Sequence, residues 1–94
     1  MIWQLDIMAT LYILKSEKYN RYYIGSTNNL KRRLAEHNLG KTLSTKFIRP
    51  LKAVFIQDYE MIEEARSIER KLKKFKSRII LERIISEGCI KVKI

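Results

Sequence analysis

A chain of 94 residues has room for one domain with a modest core and none for a second. Its 20 Lys and Arg against 10 Asp and Glu give a formal charge of +10, which points to a polyanionic partner, nucleic acid ahead of acidic lipid. No stretch is long and apolar enough to span a bilayer. The single cysteine, Cys89, excludes an intrachain disulfide and a cysteine-cluster zinc site and fits a reducing cytoplasm.

Residues 1–9 are partly apolar but lack the basic start, the apolar length and the cleavage site of a signal peptide. Met8, just ahead of the first strand, is a candidate for the natural start, with residues 1–7 an upstream extension. Residues 10–14 (Thr-Leu-Tyr-Ile-Leu) read as a first strand and residues 21–25 as a second. The short polar run between them predicts an antiparallel hairpin. In the expected register Tyr12 faces Tyr23, Leu14 faces Arg21 and the loop falls at residues 16–19. That arrangement sets both phenols on one face, with Leu11, Ile13, Tyr22 and Ile24 on the other. A cross-strand tyrosine pair also arises as plain packing.

Gly25 breaks the strand pattern, and Ser26, Thr27, Asn28 and Asn29 offer caps for a following helix. Leu30 and Leu34 mark its inner face. At about 100° per residue from Leu30, Leu34 lies near about +40°, His37 about −20° and Arg33 about −60°. Arg33 and His37 thus border the apolar stripe, while Lys31 and Arg32 point to water. Gly40 reads as the end of this helix. The polar connection that follows, with Lys41, Lys46 and Arg49, either reaches a phosphate backbone or is a solvated loop.

Residues 51–59 form the third expected strand, where Val54, Phe55 and Ile56 make a run suited to a central position. A long helix over 60–76 follows, with Glu60, Glu63 and Glu64 at its start and basic residues toward its end, as the helix dipole favours. Ile62, Ala65, Ile68 and Leu72 form its apolar stripe, and Glu69 falls inside that stripe. A carboxylate directed at a core must be paired, protonated or bound to a cation. A structural salt bridge, with Arg33 as a candidate partner, and a metal site are equally compatible with the pattern. Residues 77–87 read as a shorter helix stopped by Gly88, and the tail 89–94 alternates apolar and basic residues, as in an edge strand guarded by lysines. The order β-β-α-β-α-α describes a single α/β domain of the α+β type, a small three-stranded antiparallel sheet flanked by helices.

Taken together, these residues resemble the GIY-YIG nuclease superfamily, in particular its small single-domain bacterial members, which are related to the catalytic domains of the excision-repair nuclease subunit and of homing endonucleases. Leu11-Tyr12-Ile13-Leu14 matches the first signature element and Tyr23-Ile24-Gly25 the second. Arg33 stands ten residues after Tyr23, where the family has its helix arginine, and His37 follows one turn later. The segment from Glu64 to Lys73 is similar to the family's glutamate helix, with Glu69 in the metal-ligand place, and Ser44-Thr45-Lys46 and Arg49-Pro50 resemble the loop of the small members. The match covers roughly residues 10–78. Thr10-Leu11-Tyr12 replaces Gly-Ile-Tyr, Ser26 stands where some relatives have lysine, and an asparagine found downstream in the repair branch has no counterpart.

The resemblance implies hydrolysis of DNA phosphodiester bonds with one divalent metal, Mg²⁺ or Mn²⁺, held at Glu69. It implies that Arg33 binds the scissile phosphate, that one of Tyr12 and Tyr23 acts on the attacking water, with Tyr12 slightly favoured, and that His37 assists proton transfer or contacts phosphate. Gly25 is structural at the site. Arg32, Lys41, Lys46, Arg49 and Lys73 are the expected nucleic-acid contacts. With no sequence-reading domain in the 94 residues, recognition by shape or backbone is expected, of DNA, structured nucleic acid or RNA, with targeting left to a protein partner, a homodimer or the basic surface. No membrane role is expected. The competing reading is a non-catalytic nucleic-acid-binding module that keeps the fold.

Overall fold

The computed structural model describes residues 9–90. The expectations about Met8 as the start and about a strand in the last residues fall wholly or largely outside them. Three strands, β1 (Ala9–Ser16), β2 (Tyr22–Thr27) and β3 (Leu51–Tyr59), form one antiparallel sheet in the order β2-β1-β3. Three helices, α1 (Leu30–Asn38), α2 (Ile62–Phe75) and α3 (Arg78–Glu87), complete the α+β order expected from the sequence, with a short 3-10 turn over Lys46–Ile48. Among the described residues no helix is long and apolar enough to cross a membrane.

The central strand is β1, not β3 as the Val54–Phe55–Ile56 run suggested. Leu11, Tyr12, Ile13 and Leu14 are all buried, whereas Ile56 is exposed. A strand flanked on both sides and covered on both faces has no water-facing positions, so it reads as an unbroken apolar run. An edge strand can carry the same kind of run when only alternate residues reach the core. Phe55 does so, and a bulge between Ile13 and Leu14 in the β1–β3 ladder offsets the register at Val54.

The hairpin register differs by two residues from the expected one. Tyr12 pairs with Gly25 and Leu14 with Tyr23, and the Ser16 N–H bonds the Arg21 carbonyl at 3.0 Å to close the loop over residues 17–20. Ser16 decides this. Its buried hydroxyl accepts from the Lys18 and Tyr19 N–H groups at 3.2 and 2.9 Å, which fixes the turn one step later than the hydropathy pattern alone indicates. Because the shift is an even number, the expected faces survive.

Two apolar layers result. Leu11, Ile13, Ile24 and Phe55 meet Leu72 of α2 and Ile84 of α3 on one face. Tyr12, Leu14 and Leu51, with Tyr23, Leu30, Leu34 and Ile48 packed against them, form the layer under α1. Asn29 caps α1 by accepting the Arg32 N–H, and Ser77 caps α3 by accepting the Ile80 N–H. At the far end of α1, Asn38 holds the first residue of β3 on two sides. Its Nδ2 donates to the Leu51 carbonyl at 3.0 Å and its Oδ1 accepts the Leu51 N–H at 2.8 Å. The clamp fixes both ends of the connection between α1 and β3. Asn38→Ala removes both bonds and is expected to cost about 1–3 kcal/mol of stability, with Asn38→Asp, which keeps only the acceptor, in between; urea denaturation measures both.

Candidate active site

Gly25 lies inside β2 rather than ending it, and its role is space. A Cβ at this position would overlap the hydroxyl and ring of Tyr12 on the neighbouring strand. The missing side chain lets the Tyr12 phenol lie across β2, where it is 1% exposed. There its hydroxyl stands 3.0 Å from Nε2 of His37.

His37 is the one fully buried residue of α1, at 0% exposure. Its Nδ1 lies 2.7 Å from the Oγ1 of Thr45, itself buried in the loop between α1 and β3. Tyr12, His37 and Thr45 therefore form a closed chain of hydrogen bonds beneath the surface. The imidazole ring also meets the edges of both tyrosine rings, with centroids 5.9 Å from Tyr12 and 5.0 Å from Tyr23. The tyrosine rings stand 6.5 Å apart.

Burial controls the protonation of this group. It pushes the Tyr12 phenol up to about 12, with the positive charge of Arg33 pulling the other way. Burial, with Arg33 adding to it, lowers His37 below its ordinary value, and Glu36 opposes this weakly. At neutral pH the phenol keeps its proton and the imidazole is neutral. A neutral imidazole offers one donor and one acceptor, and a threonine hydroxyl can serve either.

Arg33, on the same helix as His37, lines a neighbouring surface groove. Glu36 bonds its Nη1 at 3.1 Å and also faces Arg32 at 3.8 Å, so one carboxylate positions two guanidinium groups. Both line that groove, of about 360 Å³, with Ser26, Asn28 and Arg66. Arg66, on α2, was not picked out from sequence, because on the helix pattern it is one more cation on a basic surface.

Glu69 comes from α2, the layer opposite α1, and reaches the site at the β2 edge. Ser26, which alternates with Gly25, donates its hydroxyl to Oε1 at 2.5 Å, and Lys73 donates to Oε2 at 2.7 Å. The side chain is 19% exposed. Lys73, one turn along, is thus the ion-pair partner, in place of the Arg33 considered from sequence: Arg33 projects from the other layer and is engaged by Glu36. The Lys73 ammonium also stands 5.4 Å from the centroid of the Tyr23 ring, which links Glu69 to the tyrosine pair. Among the described residues no three His, Cys, Asp or Glu side chains converge as a metal cluster. Glu69 alone would supply the carboxylate for a cation, with water and phosphate oxygens completing the shell. A set of oxygen donors suits a hard divalent cation that keeps several waters.

The structure thus brings Tyr12, Tyr23, Arg33, His37 and Glu69 together around β2, with Arg32 and Lys73 beside them. Lys46 and Arg49 line a separate hollow, and Lys41 is exposed on the loop. Thr45 and Ser26, which hold His37 and Glu69, were legible only as loop and cap residues.

The β-β-α-β-α-α scaffold is similar to the catalytic domain of a nuclease superfamily. The profile of the GIY-YIG catalytic domain matches residues 8–80, and the chain belongs to the GIY-YIG family. Within it, the chain is similar to UPF0213 proteins. It is 40% identical over 87 residues to one from Streptococcus pneumoniae TIGR4, covering 89% of this chain and 84% of that protein. To the UPF0213 protein YazA of Bacillus subtilis it is 35% identical over 75 residues, covering 76% and 75%. The solution NMR structure of the UPF0213 protein BH0048 from Bacillus halodurans aligns at 29% identity with a TM-score of 0.55, over 86% of each chain.

The His37 environment sets a pH dependence. The folded state binds the His37 proton less readily than the unfolded chain, so its stabilisation is present above about pH 6.5 and is lost as the pH falls through that value and on toward the lowered folded value. Denaturation midpoints measured between about pH 5 and 8 should fall on the acid side, and His37→Gln should flatten that limb.

Proposed function

We propose that the protein is a divalent-metal-dependent endonuclease that hydrolyses phosphodiester bonds in DNA, with selectivity for structure over sequence. The observation that supports this reading is the buried Tyr12–His37–Thr45 hydrogen-bond chain under the sheet's α1 layer, with Arg33 lining the adjacent groove and the partly buried Glu69 bonded to Ser26 of β2.

Arg33 binds the scissile phosphate. Its planar fork matches two phosphate oxygens, and Glu36 holds it in place for that contact. Tyr12 takes the proton of the attacking water. A phenol held near 12 can do so only as its own proton departs, and His37 Nε2 is placed to receive it. With Nδ1–H donated to Thr45, the imidazole has its acceptor nitrogen turned toward Tyr12. As the new oxygen–phosphorus bond forms, the phosphorus–ester oxygen bond breaks and the departing oxygen takes a proton from solvent. Tyr23 packs against both rings and orients the water. His37 acts through Tyr12 in this scheme, since its Nε2 is 3.0 Å from the Tyr12 hydroxyl and its Nδ1 is engaged by Thr45.

Glu69 would hold Mg²⁺ or Mn²⁺, with Lys73 swinging aside on its half-exposed stem. The bound cation supplies positive charge against the developing charge on phosphate and leaving oxygen. Arg32 and Arg66, which share the groove with Arg33, and Lys73 beside Glu69 offer cations to the flanking backbone.

The test is a cleavage assay on fluorescent single-stranded, duplex, flapped and branched DNA, and on RNA, with Mg²⁺, Mn²⁺ or EDTA. Glu69→Gln should lower metal-dependent cleavage by about 100-fold or more while salt-sensitive binding in EDTA persists. Equal cleavage by the variant would remove Glu69 from the chemistry. Binding of every substrate with no turnover in either metal would instead identify a nucleic-acid-binding module.

A further inference from the structure

The loop between α1 and β3 carries a feature that the catalytic group does not use. Phe47, in the middle of the 3-10 turn, is 77% exposed. Its neighbour Ile48 takes the core position, packing with Tyr12, Leu14 and Leu51, so Phe47 is left outside with no part in the fold. Around it lies a hollow of about 480 Å³, lined by Lys18, Asn38, Lys46, Phe47, Arg49 and Pro50. The Glu17 N–H bonds the Pro50 carbonyl at 2.9 Å, which holds the tip of the β1–β2 hairpin against the loop.

Three of the six lining residues are cations and none is acidic. The Asn38 amide is committed to Leu51 on both sides. Arg49 is held in place by its Nε donating to the Lys46 carbonyl at 2.8 Å and by its guanidinium lying over Gly40, where a Cβ would crowd it. The Lys46 ammonium stands 5.6 Å from the Phe47 ring centroid. A phosphate alone would need the cations but not the exposed ring. A ring among cations matches a nucleotide, which presents a flat base next to its phosphates. In a duplex both faces of each base are stacked, so only an unpaired base can use the ring.

We propose that this hollow is a second DNA subsite that takes an unpaired nucleotide of a single strand, its base against Phe47 and its phosphates on Lys18, Lys46 and Arg49. The proposal rests on the reading of DNA as the substrate and narrows it to strands with an unpaired segment near the scissile bond. The connection to the catalytic group is short. Thr45, which holds His37 Nδ1, directly precedes the turn that presents Phe47. Loading the hollow therefore fixes the segment that orients His37.

The experiment is done in EDTA, without turnover, on oligonucleotides carrying 2-aminopurine, as single strands and as duplexes at one salt concentration. Wild-type protein is expected to quench the probe in the single strand. Phe47→Ala should lose that quenching and weaken single-strand binding by about 5- to 100-fold, with duplex binding within about twofold, while Phe47→Trp retains both. The ring's exposure predicts an unchanged melting temperature for Phe47→Ala. Wild-type single-strand affinity or persistent quenching in Phe47→Ala would overturn the subsite, as would equal losses on single strand and duplex. Quenching by a protein that cleaves nothing would count against the endonuclease and leave the subsite standing. Cleavage without quenching would do the reverse.

Discussion

Everything at this site depends on placing one phenol inside the sheet. Tyr12 is on the central strand, where a bulky polar side chain has nowhere to go unless the next strand makes room. Gly25 makes that room, and His37 satisfies the hydroxyl that would otherwise be stranded in an apolar layer. Thr45 then satisfies the other nitrogen of His37, which commits a loop from the far end of α1 to the same spot. Gly25 supplies the space, and three residues from three further segments are tied together by the pairing of their buried polar atoms.

The same arrangement organises the charges. Burial keeps the phenol protonated and the imidazole neutral, so the interior of the site carries no charge of its own at neutral pH. The charged groups stand around it, Arg33 paired with Glu36 on one side and Glu69 paired with Lys73 on the other. Both pairs are partly exposed and both join groups one turn apart on the same helix, so they contribute little to stability and can exchange partners readily. In the proposed reaction a phosphate competes for Arg33, and a cation for Glu69, without opening the core. Preorganised neutral interior and exchangeable charged rim are compatible properties here because they reside in different layers.

Much of this was legible from the chain. Arg33 and His37 stand out because they border an apolar stripe and Glu69 because it falls inside one, Tyr12 and Tyr23 through their resemblance to the family's signature elements, and the faces of the hairpin follow from a period of two. The register was not legible, because shifts by an even number leave the pattern intact, and the buried Ser16 hydroxyl settled it through two backbone amides. The identity of the central strand was not legible either. An apolar run of three in β3 looks like the run in β1, and only the pairing order separates a strand with two neighbours from a strand with one. Thr45 and Ser26 gave no signal as partners because a hydroxyl in a polar segment is ordinary until a buried nitrogen or carboxylate is found beside it.

By itself, the sequence determined the order of elements and the basic composition, since these follow from local periodicity, capping and side-chain type, and its motifs marked the residues proposed to do chemistry. Tertiary structure decided which of those residues meet. It brought Glu69 across from the opposite layer to the β2 edge and gave it Lys73 rather than Arg33 as its partner. It also sealed His37 under the surface while turning Phe47 out beside a cationic hollow. Partnerships of this kind depend on contacts between residues far apart in the chain, and local pattern carries no information about which distant segment will pack against a given face.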